Sequence, residues 1–346
     1  MKKAVILLII LLLTVLPVRA MDITAPPAPG HIEKYIPEET GSFMDGVWRI
    51  LRDAIFTLDP QLKEAVSVCV AIIAAVMVSS YISAMSEKTH QITNLITTLV
   101  ICGLLLRSTD SFIKLGIQTV NEIIAYGKLL LPVMTTGLAA QGAASTSTAL
   151  FTITSVFLNI LSVIAARIMI PFLYIYIALF VCGCVTNTPA IANLQKLMKW
   201  GMTWTLKLVT YAFTGFLGIT KALSGTVDAS AIKAAKLALS GMIPVVGNVI
   251  SDASESVLLS AGILKNTAGV YGMLVVLSLL VNPFFQIGVH YAVLKLTGGI
   301  CGLFGSKETV ALLQNFAAAM GYILALLGTV SILLLLSTVC FMKGIS

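Results

Sequence analysis

Apolar and polar positions along this chain follow the period of a helix almost throughout. Phe43, Val47, Ile50, Leu51, Ala54, Ile55 and Leu58 recur at three- and four-residue spacing with charge on the opposite face. That pattern predicts an amphipathic helix lying on a membrane surface or on a partner. Residues 65–84 form the first uninterrupted apolar run, and the polar turn "MSEKTHQ" separates it from a weaker run at 92–106. Residues 111–128 alternate at helical period, and two readings stand: an interfacial helix, or the start of a third span that ends near Ala140.

Residues 147–195 carry one charge, Arg167. The run is too long for a single crossing, so a tight hairpin of two helices is expected, with Arg167, four residues ahead of Pro171, marking its turn. Its long side chain can then reach the headgroups; the alternative is a charge inside the membrane that lines a conduit. The same pair of readings applies to Lys295, the lone charge of residues 268–305. A basic stretch, Lys196, Lys199 and Lys207, is expected on the cytoplasmic side. An apolar helix over 202–220, an amphipathic segment over 221–239 with Lys233 and Lys236 on one face, and the uncharged run 309–342 complete the pattern.

Composition fixes the solvent. Hydrophobic residues make up 58% of the 346 and charged residues 11%, and mean hydropathy is +0.99. A soluble domain carries about 25% charged residues. The fold class expected is all-α, a polytopic membrane protein with six to eight transmembrane helices, because an open sheet in lipid leaves backbone groups unsatisfied. Residues 1–20 read as a signal peptide, with Lys2 and Lys3 ahead of an apolar stretch and Val18 and Ala20 at the spacing of a cleavage site. An uncleaved anchor is the alternative. Residues 21–63 are then an exported lead-in ending in the amphipathic helix, and 64–346 a transmembrane domain. The lead-in holds Lys34, Arg49, Arg52 and Lys63 against seven acidic residues, whereas the rest of the chain is basic. The net charge of +7 therefore points to anionic lipid headgroups and topology rather than to nucleic acid.

Little in the sequence offers chemistry. All six cysteines lie in apolar runs, and Cys182 and Cys184, two apart on a helix, point away from each other. They read as buried small hydrophobes. His31, His90 and His290 have no carboxylate or cysteine at ligand spacing, so no metal and no cofactor is expected. A nucleophile elbow, a phosphate-binding glycine loop and HExxH are all missing, which argues against an enzyme. An ATPase would be a separate subunit. Gly298 and Gly302 have the spacing that lets helices approach closely, for packing or oligomerisation.

The segment "SGMIPVVGNVISDASESVLLSAGILKNTAG" (240–269) is where the helical pattern falters. Pro244 removes a backbone donor and Gly247 allows an abrupt turn, so a break here frees backbone groups that lipid cannot satisfy. Two readings apply to the polar residues after the break. "DASE" fits a capping box, with Asp252 accepting from the backbone and Glu255 reaching back. Alternatively, Asn248, Ser251, Asp252, Ser254 and Glu255 form a polar wall beside a broken helix at 240–265, as broken helices do in transporters, and act as a pore or gate.

The same segment carries a resemblance. "FTGFLGIT" (213–220), Asp228, "AAK" (234–236) and residues 243–269 resemble the stage III sporulation protein AE family of endospore-forming bacteria, as do "LDPQLKEAVSV" (58–68) and the closing apolar helix. The resemblance implies a polytopic protein of the mother-cell membrane facing the forespore. It implies a subunit of a transenvelope, secretion-like channel built with other stage III membrane proteins, a forespore membrane partner and a separate ATPase subunit. It supplies no catalytic residue. Rival expectations are a free-standing secondary transporter and a structural membrane scaffold.

Overall fold

A computed structural model describes residues 25–30, 43–85, 90–186, 188–242 and 247–343, with only the backbone described at 90, 91, 185 and 218–265. The signal peptide expected at 1–20 lies outside the described residues. Among these the fold is all helical, with seven helices: α1 (Phe43–Phe56), α2 (Asp59–Met85), α3 (His90–Ala140), α4 (Ala144–Ile164, continued by Ala165–Met169 and Ile170–Thr186), α5 (Pro189–Met242), α6 (Gly247–Cys301) and α7 (Lys307–Lys343).

Five of them are long and apolar enough to cross a membrane: Asp59–Met85, Ile92–Ala140, Ala144–Cys184, Asn266–Cys301 and Lys307–Lys343. The expected six to eight come down to five among the described residues because neighbouring runs fuse and because the expected helix over 202–220 is part of α5, which is not among the five. The runs at 92–106 and 111–140 are one continuous helix, α3, with Pro132 inside it. The hairpin turn expected at Arg167 is not there either. Arg167 sits in a π turn, Ala165–Met169, and the helix continues to Thr186 before α5 opens at Pro189. Pro171 has no N–H to give to the preceding turn, and a π turn absorbs that loss without ending the helix. Lys196, Lys199 and Lys207 lie on helix α5.

The central element is α7, which packs against α3, α4, α5 and α6. It buries residues on every turn from Thr309 to Phe341. Its register with each neighbour can be read from particular pairs. Along α3 the contacts run parallel, from Thr98–Thr309 through Gly116–Ile323 to Gly127–Leu334. Along α6 they run antiparallel, from Gly298–Leu313 through Tyr291–Gly321 to Gly269–Met342. Helix α4 is antiparallel to α7 as well, from Tyr176–Asn315 to Thr154–Ser337, and α5 is parallel, through Lys199–Asn315 and Thr203–Tyr322. The turn from α3 to α4 needs a left-handed residue, and Gly142 supplies it at φ 89°.

Close approach of α3 to α6 and α7 depends on missing side chains. A β-carbon on Gly116 would overlap Ile323, and one on Gly272 would come 2.6 Å from Leu130. The amphipathic helix α1 has a partner in its own chain, for Gly46, Ile50 and Ala54 are buried and it packs on α6 around Leu274 and Val281. Its other side leaves Trp48 and Phe56 exposed. Ala28, from the irregular lead-in, is also buried in the main core.

Candidate functional site

Inside the bundle, some polar side chains are paired between helices, while the buried hydroxyls of Tyr126 on α3 and Ser331 on α7 have no hydrogen-bond partner. The largest group joins α4, α5 and α7. Asn315 Oδ1, within the uncharged run 309–342 of the closing helix, accepts from the Tyr176 hydroxyl at 2.7 Å and from Lys199 Nζ at 3.1 Å. Lys199 Nζ also stands 5.4 Å from the centre of the Tyr176 ring, a cation–π contact. Two turns further along α7, the Tyr322 hydroxyl donates to the Lys199 carbonyl at 3.3 Å and lies 3.4 Å from Thr203 Oγ1. Tyr176 is wholly buried, so its hydroxyl depends on Asn315 for a partner in place of water. Lys199 lies outside the five candidate spans. Burial, and then the like charge of Lys295, push its ammonium below the usual lysine value.

Two further pairs extend this polar seam along α7. Thr154 Oγ1 and Ser337 Oγ are 2.7 Å apart toward its C-terminal end, and Thr98 and Thr309 hydroxyls are 3.2 Å apart near its start. On the far side of α6, a cavity of about 240 Å³ lies between α1, α3 and α6. Thr119, Glu122, Ser278, Asn282 and Gln286 give it polar walls, over an apolar floor that includes Ile50 and Leu115. Pro283 within α6 leaves the Leu279 carbonyl without its usual helical donor, and Leu279 lines this same cavity. Gln118 Nε2 donates to Glu122 Oε1 at 2.9 Å, and Gln286 Nε2 to Asn282 Oδ1 at 3.2 Å.

The sequence-predicted residues fall elsewhere. Pro244 lies outside the described residues, between the end of α5 at Met242 and the start of α6 at Gly247. Asn248, Ser251, Asp252, Ser254 and Glu255 are on the opening turns of α6, and their side chains lie outside the described residues. With α6 beginning at Gly247, Asp252 is one turn inside the helix and not at its cap. Arg167 is exposed on the π turn, and Lys295 is exposed with its Nζ 6.0 Å from the Tyr291 ring centre. Gly298 faces α7, where an added β-carbon would lie 3.6 Å from Leu313 Cβ; Gly302 is in the turn after α6, accepting no side chain there without a 3.1 Å approach to Gly299 O. The six cysteines are free thiols, and Cys69 Sγ accepts from Thr297 Oγ1 at 2.8 Å.

Sequence reading passed over Tyr176, Lys199, Tyr322 and Asn315 as a group. One signal was visible: Asn315, next to Gln314, is an amide in a long uncharged helix, where a polar side chain needs a partner. The partners could not be found without the register between helices. Among the described residues no three His, Cys, Asp or Glu side chains gather as a metal site. The arrangement can pair, orient and seat polar groups between helices, and it holds no nucleophile beside a base.

A helical bundle of this apolarity, with five membrane-length helices and a seam of paired polar side chains, defines a multi-pass membrane protein. The family model for "Stage III sporulation protein AE" matches residues 40–344, and the chain belongs to that family. It is similar to the stage III sporulation protein AE of Bacillus subtilis (strain 168), 22% identical over 242 residues, which are 70% of this chain and 61% of that protein. The chain thus spans about three-fifths of the length of the curated relative it matches. No solved structure matches. Family membership implies a role in stage III of sporulation, and the family is described by that role rather than by a reaction.

Proposed function

We propose that this protein is an integral membrane subunit of a transenvelope, secretion-like channel between mother cell and forespore, and that it sits in the mother-cell membrane facing the forespore. The observation that carries the reading is the row of paired polar side chains along the uncharged run 309–342 of α7. Asn315, Ser337 and Thr309 on α7 each meet a polar side chain of a neighbouring helix, which suits a helix that seats others within a larger membrane assembly. The segment 240–265 supplies the gate, with Asp252 and Glu255 on its polar wall. Other stage III membrane proteins, a forespore membrane partner and a separate ATPase subunit are its partners.

Isolation of a tagged chain from sporangia tests this. Other stage III membrane proteins should co-purify from solubilised mother-cell membrane, and forespore development should stop without the chain. Normal forespores in its absence would sink the proposal. Solute uptake by the purified chain alone in vesicles would instead identify a free-standing transporter.

A further inference from the structure

Four exposed basic residues stand on four different helices at one level of the bundle: Arg107 on α3, Arg167 on α4, Lys207 on α5 and Lys295 on α6. The register pairs give that level. Arg107 lies between the Thr98–Thr309 and Gly116–Ile323 contacts, and Lys295 between Tyr291–Gly321 and Gly298–Leu313. Lys207 follows the Thr203–Tyr322 contact by one turn, and Arg167 lies between the Tyr176–Asn315 and Thr154–Ser337 contacts. All four therefore fall within about 15 Å along the bundle axis, at ~1.5 Å of rise per residue. Exposed aromatic residues share the level. Trp200 and Trp204 are 63% and 52% exposed and stack with ring centres 6.1 Å apart, and Tyr174 is 40% exposed. Of the acidic residues here, Asp110 is paired with Lys114, and Glu64 is exposed on α2.

On α3, α4 and α5 this belt stands well away from the helix ends, while on α6 Lys295 lies in the last two turns before Cys301. Toward the α2–α3 hairpin Val70, Val78, Ile96 and Val100 are exposed, together with Lys196 and Lys307 nearer the end; in the other direction Val156, Val163 and Ile332 are exposed, together with Lys128. Helices of 36 to 49 residues are about 54 to 74 Å long, against roughly 30 Å of hydrocarbon. A bilayer centred on the belt would hold four cationic heads at its middle, which is strongly unfavourable. Lys and Arg interleaved with Trp and Tyr are the side chains that settle at a membrane surface.

We propose that Arg107, Arg167, Lys207 and Lys295 bind the phosphate headgroups of anionic lipids at one surface of the membrane. The bundle is then immersed on one side of the belt only, and the other half projects from the bilayer.

The test uses the full chain in nanodiscs of phosphatidylcholine with or without phosphatidylglycerol. Phosphatidylglycerol should raise the thermal midpoint of the wild type, by a shift that shrinks as salt is added. Arg107→Gln, Arg167→Gln, Lys207→Gln and Lys295→Gln combined should lose most of that shift, and Arg107→Lys with Arg167→Lys should keep it. Absence of the shift in the wild type, or its persistence in the glutamine variant, overturns the proposal. Should the glutamine variant fail to fold, single cysteines in a cysteine-free chain with its charges intact decide the matter. Ala166→Cys on the belt should react with a membrane-impermeant maleimide. Protection of Ala166→Cys, with Thr148→Cys and Thr186→Cys both reactive, would put the belt inside the hydrocarbon and overturn the proposal.

Discussion

The Tyr176 hydroxyl reaches across from α4 to donate to Asn315 Oδ1 on α7 at 2.7 Å, and Lys199 from α5 donates to the same oxygen at 3.1 Å. One amide oxygen thus fixes the rotation of three helices. Removing the acceptor strands two donors, whereas removing one donor leaves the other satisfied. Asn315→Leu is therefore expected to cost more than Tyr176→Phe: about 1–3 kcal/mol for the buried Tyr176 hydroxyl left unpaired, with a smaller addition from the half-buried Lys199, against about 1 kcal/mol or less for the lost hydroxyl. Thermal unfolding of both variants in one detergent measures the order, and a Tyr176→Phe variant less stable than Asn315→Leu would contradict it.

The hydroxyl pair Thr154 and Ser337 offers a cleaner measurement, because both groups are fully buried and 2.7 Å apart. In membrane proteins such a bond averages about 0.6 kcal/mol, since the separated helices also find partners. A double-mutant cycle with Thr154→Val and Ser337→Ala is expected to give a coupling near that value. A coupling indistinguishable from zero would mean that the pair does not form in the membrane.

Glycine at the α3–α7 crossing sets how near the two axes come. Gly116 has no room for a side chain beside Ile323, while a β-carbon added to Gly288 on α6 would meet nothing within 4 Å. Gly116→Val should lower stability by about 1–3 kcal/mol through overpacking. Gly288→Ala should be neutral or raise it, since alanine is the better helix former by up to about 1 kcal/mol. Accumulation in the membrane and thermal midpoint compare the two, and equal effects would show that the α3–α7 approach is looser than the contact between Gly116 and Ile323 implies.

How far the fold could be read from sequence depends on what each signal reports. Apolar runs reported helices and their solvent well, since a long uncharged run such as 309–342 has few alternatives. They reported helix ends poorly. Pro171 looked like a turn because proline usually ends a helix, yet the π turn at Ala165–Met169 carries α4 past it. The amphipathic pattern at 43–58 announced a helix with something beside it, but not that α6 of the same chain is the neighbour, because a stripe of Ile50 and Ala54 fits any apolar surface. Polar pairs were the least legible. Asn315 and Tyr176 are 139 positions apart, and only the register between α4 and α7 brings them together.

The α1–α6 contact gives a prediction of its own. Ile50 and Leu274 are both buried where α1 lies on α6, and Gly46 would place a β-carbon 2.8 Å from Leu274. Ile50→Asp puts a carboxylate into that contact without a partner, at a cost of several kcal/mol if it stays docked. The helix should detach instead. Protease cleavage between α1 and α2 should then appear in folded protein, with the bundle intact, and an uncut variant would show that α1 is held by more than this face.

The gate reading of segment 240–265 rests on Asp252 and Glu255, and protein level separates it from a structural role. If both carboxylates face a polar path, Asp252→Ala with Glu255→Ala removes charge from the path and leaves the fold in place. Sporulation should then fail, by at least tenfold in heat-resistant spores for a change worth about 1.4 kcal/mol or more at the gate, while the chain accumulates normally. If the two residues serve the fold, the variant should instead be lost from the membrane, since a lost polar contact of about 1 kcal/mol is large beside marginal stability. Spore counts and immunoblots from the same culture read both quantities. Unchanged sporulation with normal protein would remove these two residues from any gate, and the path would have to be sought along the seam of α7.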